Sequence, residues 1–263
     1  MAEDTILSDE ASASASYRVR TISLEDLRQS VIKGLDDFNA RPTHAIFIIF
    51  LIPLIMLIAF WVGTDQRLLP LAFPVLTGFA LLGPFLALGL YELSRQREMG
   101  RNITFRQAFN IFRHKAVGSL VTLGVILTIL FGFWLSVAMT IYQATLGFPA
   151  PPTFGEFAAE ILTTGPGWVL IVFGNGIGLL FAMIALAISV VSFPLIIDRH
   201  VSAGTAIMVS VDVVVHNPVV MAVWGFVVAM ALLLGTLPAL AGLVIVFPVL
   251  GHATWHLYRR VVE

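Results

Sequence analysis

"PVVMAVWGFVVAMALLLGTLPALAGLVIVFPVLGHATWHLYRR", residues 218–260, carries no Asp, Glu, Lys or Arg before Arg259. A hydrocarbon core about 30 Å thick is crossed by about 20 helical residues. The stretch 218–257 is therefore too long for one crossing. "GTLP" (235–238) supplies Gly and Pro at a tight turn, so the stretch divides into two short spans there. That division decides the fold, because it brings the count of apolar spans to six. The other four lie at 45–63 ("AIFIIFLIPLIMLIAFWVG"), 68–91, 117–142 and 167–197.

Composition fits a membrane protein. Of 263 residues, 58% are hydrophobic and 12% charged, against about 25% charged in soluble domains. The absence of cysteine excludes disulfides, iron–sulfur clusters and cysteine-ligated zinc. Near-neutral net charge gives no signal for nucleic acid. Residues 1–17 are acidic and then Ser/Ala-rich, without the apolar core of a signal peptide. They are expected to be a disordered tail on a six-span membrane domain, 18–263.

The distribution of charge tests the span count. With six spans, fourteen of the fifteen Lys and Arg residues fall on one side and only Arg67 on the other. Lys and Arg mark the cytoplasmic face, so both termini are expected there. Five spans would put Arg259 and Arg260 outside.

Each inner segment before an odd-numbered span reads as an amphipathic helix lying in the headgroup plane. The first starts at Ser23 with Asp26 as a capping-box partner, and its Leu24, Leu27, Val31, Leu35 and Phe38 recur at helical spacing. The second starts at Thr104 and the third at Ser202. The even-numbered exits echo one another: "PFLALGLYELSR" (84–95) aligns without gaps on "PVLGHATWHLYR" (248–259), matching Tyr91 to Trp255 and Glu92 to His256. "FPLIIDR" (193–199) is a shorter version. The chain thus reads as three hairpins, each behind an in-plane helix. Pro84, Pro194 and Pro248 would free the carbonyls of Ala80, Val190 and Val244 and kink the three exits.

Catalytic motifs are missing. There is no Gly-rich phosphate loop, no His-Glu-x-x-His and no nucleophile elbow. No charged residue lies deep in a span, which counts against an ion-motive machine. Asn175, between Gly174 and Gly178, is expected to be a buried amide that hydrogen-bonds another helix. In a transporter it would be the polar contact to substrate. Thr153 and Glu156 would cap a short helix in the outer loop 143–165. All six histidines fall near the predicted inner interface, where imidazole is easily solvated. His252 and His256 stand one helical turn apart and, with Glu92, are the candidate haem- or metal-binding set. Interface placement explains them without a cofactor, with Trp255 and the terminal arginines as edge anchors.

The stretches "GLDDFNARPTHAIF", "GFALLGPFLALGLYELSRQREMG", "FPLIIDRHVSAGTAIMVSVDVVVHNP" and "FPVLGHATWHLYR" resemble a bacterial integral-membrane family, domain of unknown function 2189, over roughly residues 20–260. The family implies six spans and carries no established activity. Some members bear the label of a cytochrome c oxidase subunit. The catalytic subunit of such an oxidase needs about twelve helices and histidines deep in the membrane, and this chain has neither. The expectation is a non-enzymatic scaffold, accessory or assembly component in the lipid bilayer, with no cofactor. A membrane-protein partner, by association a respiratory complex, follows from the label alone. Transport of a small molecule or lipid is the alternative, and haem or metal binding the third reading.

Overall fold

The computed structural model describes residues 17–40, 60, 66–101, 116–147, 153–238 and 240–263. The expected first span, the in-plane helix at Thr104 and most of the N-terminal tail lie outside these residues. The described chain is helical, with one isolated β-bridge between Val19 and Val262. Four stretches are long and apolar enough to cross a membrane: Leu68–Glu98, Val117–Thr145, Gly165–Arg199 and Pro218–Thr236. They correspond to the expected second to fifth spans.

The helices are α1 (Leu24–Ala40), α2 (Ala72–Gly78), α3 (Gly83–Leu86), α4 (Leu88–Glu98), α5 (Val117–Thr145) and α6 (Phe154–Thr163). They continue with α7 (Gly165–Ser189), α8 (Ser192–Arg199), α9 (Ala203–His216), α10 (Pro218–Thr236) and α11 (Leu243–Val261). Two 3-10 segments, Gln66–Leu71 and Phe79–Leu82, flank α2. The sixth expected span thus appears as α11, but it is not among the four membrane-length apolar stretches. Its second half carries His252, His256, Arg259 and Arg260 and is buried in a polar cluster described below.

Local capping chemistry forms where the sequence placed it. The Ser23 N–H donates to Asp26 Oδ2 at 2.9 Å and the Asp26 N–H returns a bond to Ser23 Oγ at 3.3 Å. Ser202 Oγ accepts from the Thr205 N–H, and Thr153 Oγ1 from the Glu156 N–H. Each satisfies one of the donors that a helix start leaves open.

The prolines differ from expectation. Pro84 and Pro194 fall in the first turns of α3 and α8, where a missing N–H costs nothing. They begin new helical segments rather than kink continuous ones. Only Pro248 sits within a continuous helix. The turn after α10 also differs slightly, running over 237–242 instead of 235–238. A Cβ on Gly242 would stand 2.8 Å from the Gly235 Cα. Two glycines let the chain fold back on itself here.

The chain divides into two compact units. In unit 2 (Ile48–Leu82 and Ile126–Ala185), the Trp134 indole N–H donates to the Pro74 carbonyl at 3.0 Å. Its ring packs on Phe181, with centroids 5.5 Å apart. Leu69, Tyr142 and Phe157 form a second buried cluster.

Unit 1 (Met1–Phe47, Gly83–Val125 and Leu186–Glu263) holds residues 18–20 against residues 261–263. The Arg20 N–H donates to the Val261 carbonyl at 2.9 Å, and the Glu263 N–H to the Arg18 carbonyl at 3.0 Å. Buried Asn217 accepts from the Ile22 N–H at 2.9 Å and donates to the Arg20 carbonyl at 3.1 Å. The three echoing exits, α4, α8 and α11, pack on one another. Helix α1 lies along α11, in the most extensive helix contact of the chain.

The structure shows which face of the amphipathic α1 meets the protein. The face that α1 buries in the protein is Leu27, Ser30, Gly34 and Asp37, mostly small or polar. Leu24 and Leu35 of the expected apolar stripe stay exposed. Helix α9 buries Ala206, Val209, Ser210 and Val213 while Val211 and Val215 face outward. On α1 the backbone of α11 approaches most closely at Gly34, where a Cβ would stand 2.7 Å from the Ala253 nitrogen. The apolar stripe is left for another medium.

Candidate functional site

Three helices of unit 1 bring together one buried cluster of ionisable groups. Helix α1 supplies Asp37, α4 supplies Ser94 and Arg97, and α11 supplies His252 and His256. Asp37 Oδ2 lies 2.6 Å from Ser94 Oγ and 2.8 Å from His256 Nε2, while Arg97 donates to Oδ1. Ser94 Oγ also lies 2.7 Å from His252 Nδ1. Asp37, Ser94 and His252 are buried.

The network assigns its own protons. An ionised carboxylate only accepts, so Ser94 and His256 both donate to Asp37. The Ser94 hydroxyl has one proton, and that proton is used. Ser94 Oγ must therefore accept from His252 Nδ1–H. This fixes His252 as the Nδ1–H tautomer with a bare Nε2, which is buried without a partner.

Burial pushes the Asp37 carboxyl upward, but hydrogen bonds from His256 and Ser94 outweigh it, and its pKa falls below the ordinary 3.8. Asp26 is also lowered, first by the Ser23 backbone N–H and then by the Ser23 hydroxyl, despite some burial. A depressed carboxylate contributes stability that is complete above its unfolded pKa and lost as pH falls through the folded one. Thermal stability in detergent is therefore expected to fall once pH drops below about 4, near the ordinary aspartate pKa. Asp37→Asn should flatten that slope. An unchanged slope in Asp37→Asn would assign the acid sensitivity elsewhere.

The order of groups bears on chemistry. In a nucleophilic triad the imidazole lies between hydroxyl and carboxylate, so it can take the hydroxyl proton. Here the hydroxyl lies between imidazole and carboxylate and gives its proton to the latter. The cluster's bonds link α1, α4 and α11 through Asp37 and Ser94. Among the described residues, no group of three His, Asp or Glu side chains is placed to hold a metal ion.

The candidate set of His252, His256 and Glu92 is only partly assembled. Both histidines enter one cluster, but Asp37 is the carboxylate that meets them. Buried Glu92 is taken by its own helix: Arg95 Nε and Nη2 donate to it at 2.9 and 3.1 Å, and Gln96 adds a third bond. Partners three and four residues away capture a helical side chain before a distant one can. His252 is not a solvated histidine; it is buried in the protein. His216 is exposed and pairs with Asp212 at 2.9 Å, and His200 ends α8 at φ 60°. His44 and His114 lie outside the described residues.

The edge-anchor reading of "TWHLYRR" also changes. Trp255 is buried and donates its indole N–H to Glu98 at 3.1 Å. Tyr258 donates to Asp198 at 2.7 Å, Arg259 to Glu98 at 3.1 Å and Arg260 to Asp26 at 2.6 Å. These side chains are spent on carboxylates of α4, α8 and α1. Asn175 is displaced in the opposite sense. It is exposed, and its amide N–H donates to the Ile171 carbonyl of its own helix at 2.7 Å.

These features are those of a helical integral membrane protein whose apolar helices adjoin a buried polar cluster. The stretch 72–198 matches the model of a family described as predicted integral membrane protein (DUF2189). That match contains Ser94, Arg97 and Glu98 but not Asp37 or the two histidines. No curated protein and no solved structure matches the chain.

Proposed function

We propose that the chain is a non-enzymatic, six-span protein of the bacterial inner membrane, with both termini in the cytoplasm. On this reading it is a scaffold or accessory component of a larger membrane assembly. The carrying observation is how little its spans bury in one another. Only 24%, 28% and 17% of the apolar windows of Leu68–Glu98, Val117–Thr145 and Pro218–Thr236 are buried, against 61% for Gly165–Arg199. Val121, Val125, Ile129 and Phe133 form an outward stripe on α5. Lipid can cover such a stripe. It cannot satisfy the Asn175 amide oxygen, whereas a partner helix can.

The pairing of residues 18–20 with residues 261–263 supports an even number of crossings between them. The gathering of Arg18, Arg20, Arg95, Arg97, Arg199, Arg259 and Arg260 within unit 1 supports one basic side. The exposed apolar residues of α1 and α9 suit a headgroup layer, where each nearby cation adds at most about 1 kcal/mol. Such contacts anchor the protein and leave partner choice to the spans. The association of the family label with respiratory complexes names one class of partner to look for.

The chain has no cysteine, so Gly174→Cys introduces a single thiol beside Asn175. A Cβ at Gly174 meets nothing within 4 Å. Thiol crosslinking in native membranes is expected to trap a second polypeptide at this position. Recovery of the chain alone would overturn the scaffold reading.

A further inference from the structure

A cavity of about 290 Å³ opens beside the polar cluster, bounded by α1, α4 and α11. Lys33, Asp36 and Asp37 line it from α1, Ser94, Arg97 and Glu98 from α4, and His256 from α11. Most of these charges are already matched. Asp37 holds Arg97, and Glu98 holds Arg259 and the Trp255 indole. Two remain, one of each sign. Lys33 and Asp36 are exposed, and neither has an ion-pair partner among the described residues. Arg97 uses one Nη1 donor on Asp37 and has other N–H groups to offer.

The location restricts the ligand. Ser94, Arg97 and Glu98 occupy the last turns of the 31-residue apolar stretch Leu68–Glu98. At 1.5 Å per residue that stretch outruns a hydrocarbon core of about 30 Å, so one end reaches the headgroup layer. The basic, cavity-bearing end is the one suited to it. Ile32 and Leu35, exposed on α1 next to Lys33 and Asp36, offer apolar surface beside the mouth. A bare anion here would face Asp36, and a bare cation would face Lys33. A group carrying one charge of each sign satisfies both.

The geometry points to a binding site for the headgroup of a zwitterionic aminophospholipid, with its phosphodiester on Lys33 and Arg97 and its ammonium on Asp36. The cavity is at the small end of the ligand-site range and holds the headgroup alone, leaving the acyl chains outside on the apolar faces. This inference rests on the chain spanning a membrane and not on the scaffold role, so a protein without partners would still bind the lipid.

Native mass spectrometry of the purified full chain in mild detergent tests it, with phosphatidylethanolamine, phosphatidylglycerol or free phosphoethanolamine added. Phosphatidylethanolamine should be retained at least about tenfold better than phosphatidylglycerol, the scale of one charge-assisted contact. Asp36→Asn should erase that preference, and Lys33→Gln should weaken retention of both lipids. Both side chains are exposed, and unchanged melting temperatures confirm folding; if either variant melts early, Lys33→Arg and Asp36→Glu should preserve binding. Equal retention of the two lipids, or variants that bind like the unaltered chain, would overturn the site. Free phosphoethanolamine binding as tightly as the lipid would overturn the lipid assignment.

Discussion

Asp37→Ala is expected to destabilise the protein by about 3 kcal/mol, the lower end of the cost of removing one partner from a buried charged pair. The carboxylate accepts from Ser94, His256 and Arg97, so one truncation leaves three donors without their acceptor. Ser94 is buried and cannot turn to water, and His256 has only 12% of its side chain exposed. Arg97 has 38% of its side chain exposed and can rehydrate, which keeps the expected loss toward the low end. Asp26→Ala is the comparison. Its bond to Arg260 is partly exposed on both sides, at 31% and 29%, and its capping role is local, so about 1 kcal/mol is expected. Thermal unfolding in detergent reads the difference, and hydrogen exchange over residues 24–40 locates it. A loss below about 1 kcal/mol for Asp37→Ala, with α1 amides still protected, would mean the network is not what holds α1.

Sequence and structure agree most closely where the physics is local. Ser23, Thr153 and Ser202 cap helices because their hydroxyls reach a backbone N–H only three residues on, a distance visible in any sequence. The expected second to fifth spans recur as membrane-length helices because a run of apolar residues advertises itself without reference to a partner. The pairing of His252 with His256 was likewise visible as one helical turn. Their carboxylate was not, because Asp37 lies 219 residues from His256 and no spacing rule reaches that far. The alignment of "PFLALGLYELSR" with "PVLGHATWHLYR" pointed to Glu92, a residue already claimed by Arg95 and Gln96 one turn away.

One signal could have found Asp37. Ser30, Gly34 and Asp37 recur at helical spacing next to the apolar stripe of α1, and such a row of small and polar residues marks a seam against another helix. The more conspicuous leucines mark the face that meets lipid, and the row beside them is the one that meets the protein. Default assignments made Trp255 an interfacial anchor and Asn175 a buried amide. An indole is assigned to lipid headgroups by default, yet here Glu98 offers it a better acceptor. An amide is assigned to the interior by default, yet helix α7 turns it outward.

Gly34 makes the seam between α1 and α11 testable by shape alone. A Cβ at this position would stand 2.7 Å from the Ala253 nitrogen, 2.8 Å from the Val249 oxygen and 2.9 Å from the Ala253 Cα. All three are backbone atoms of α11, so no rotamer change can relieve the clash and the helices must separate. Separation also lengthens the bonds from Asp37, one turn further along α1, to His256 and Ser94. Gly34→Ala gains about 1 kcal/mol of helix propensity, but overpacking of this kind costs about 1–3 kcal/mol, and the weakened network adds to it. Gly34→Val forgoes most of the propensity gain and adds two methyl groups to the clash. It is expected to lose about 3 kcal/mol or more, a shift of roughly 6–12 °C at this chain length. Gly132→Ala is the control, since nothing lies within 4 Å of a Cβ there, and the propensity gain should leave stability unchanged or slightly raised. If Gly34→Val melts with the unaltered chain while Asp37→Ala does not, α1 is held by its charges and not by close packing. If both fall together and expose the same amides of α1, the small-residue face and the buried carboxylate act as one joint.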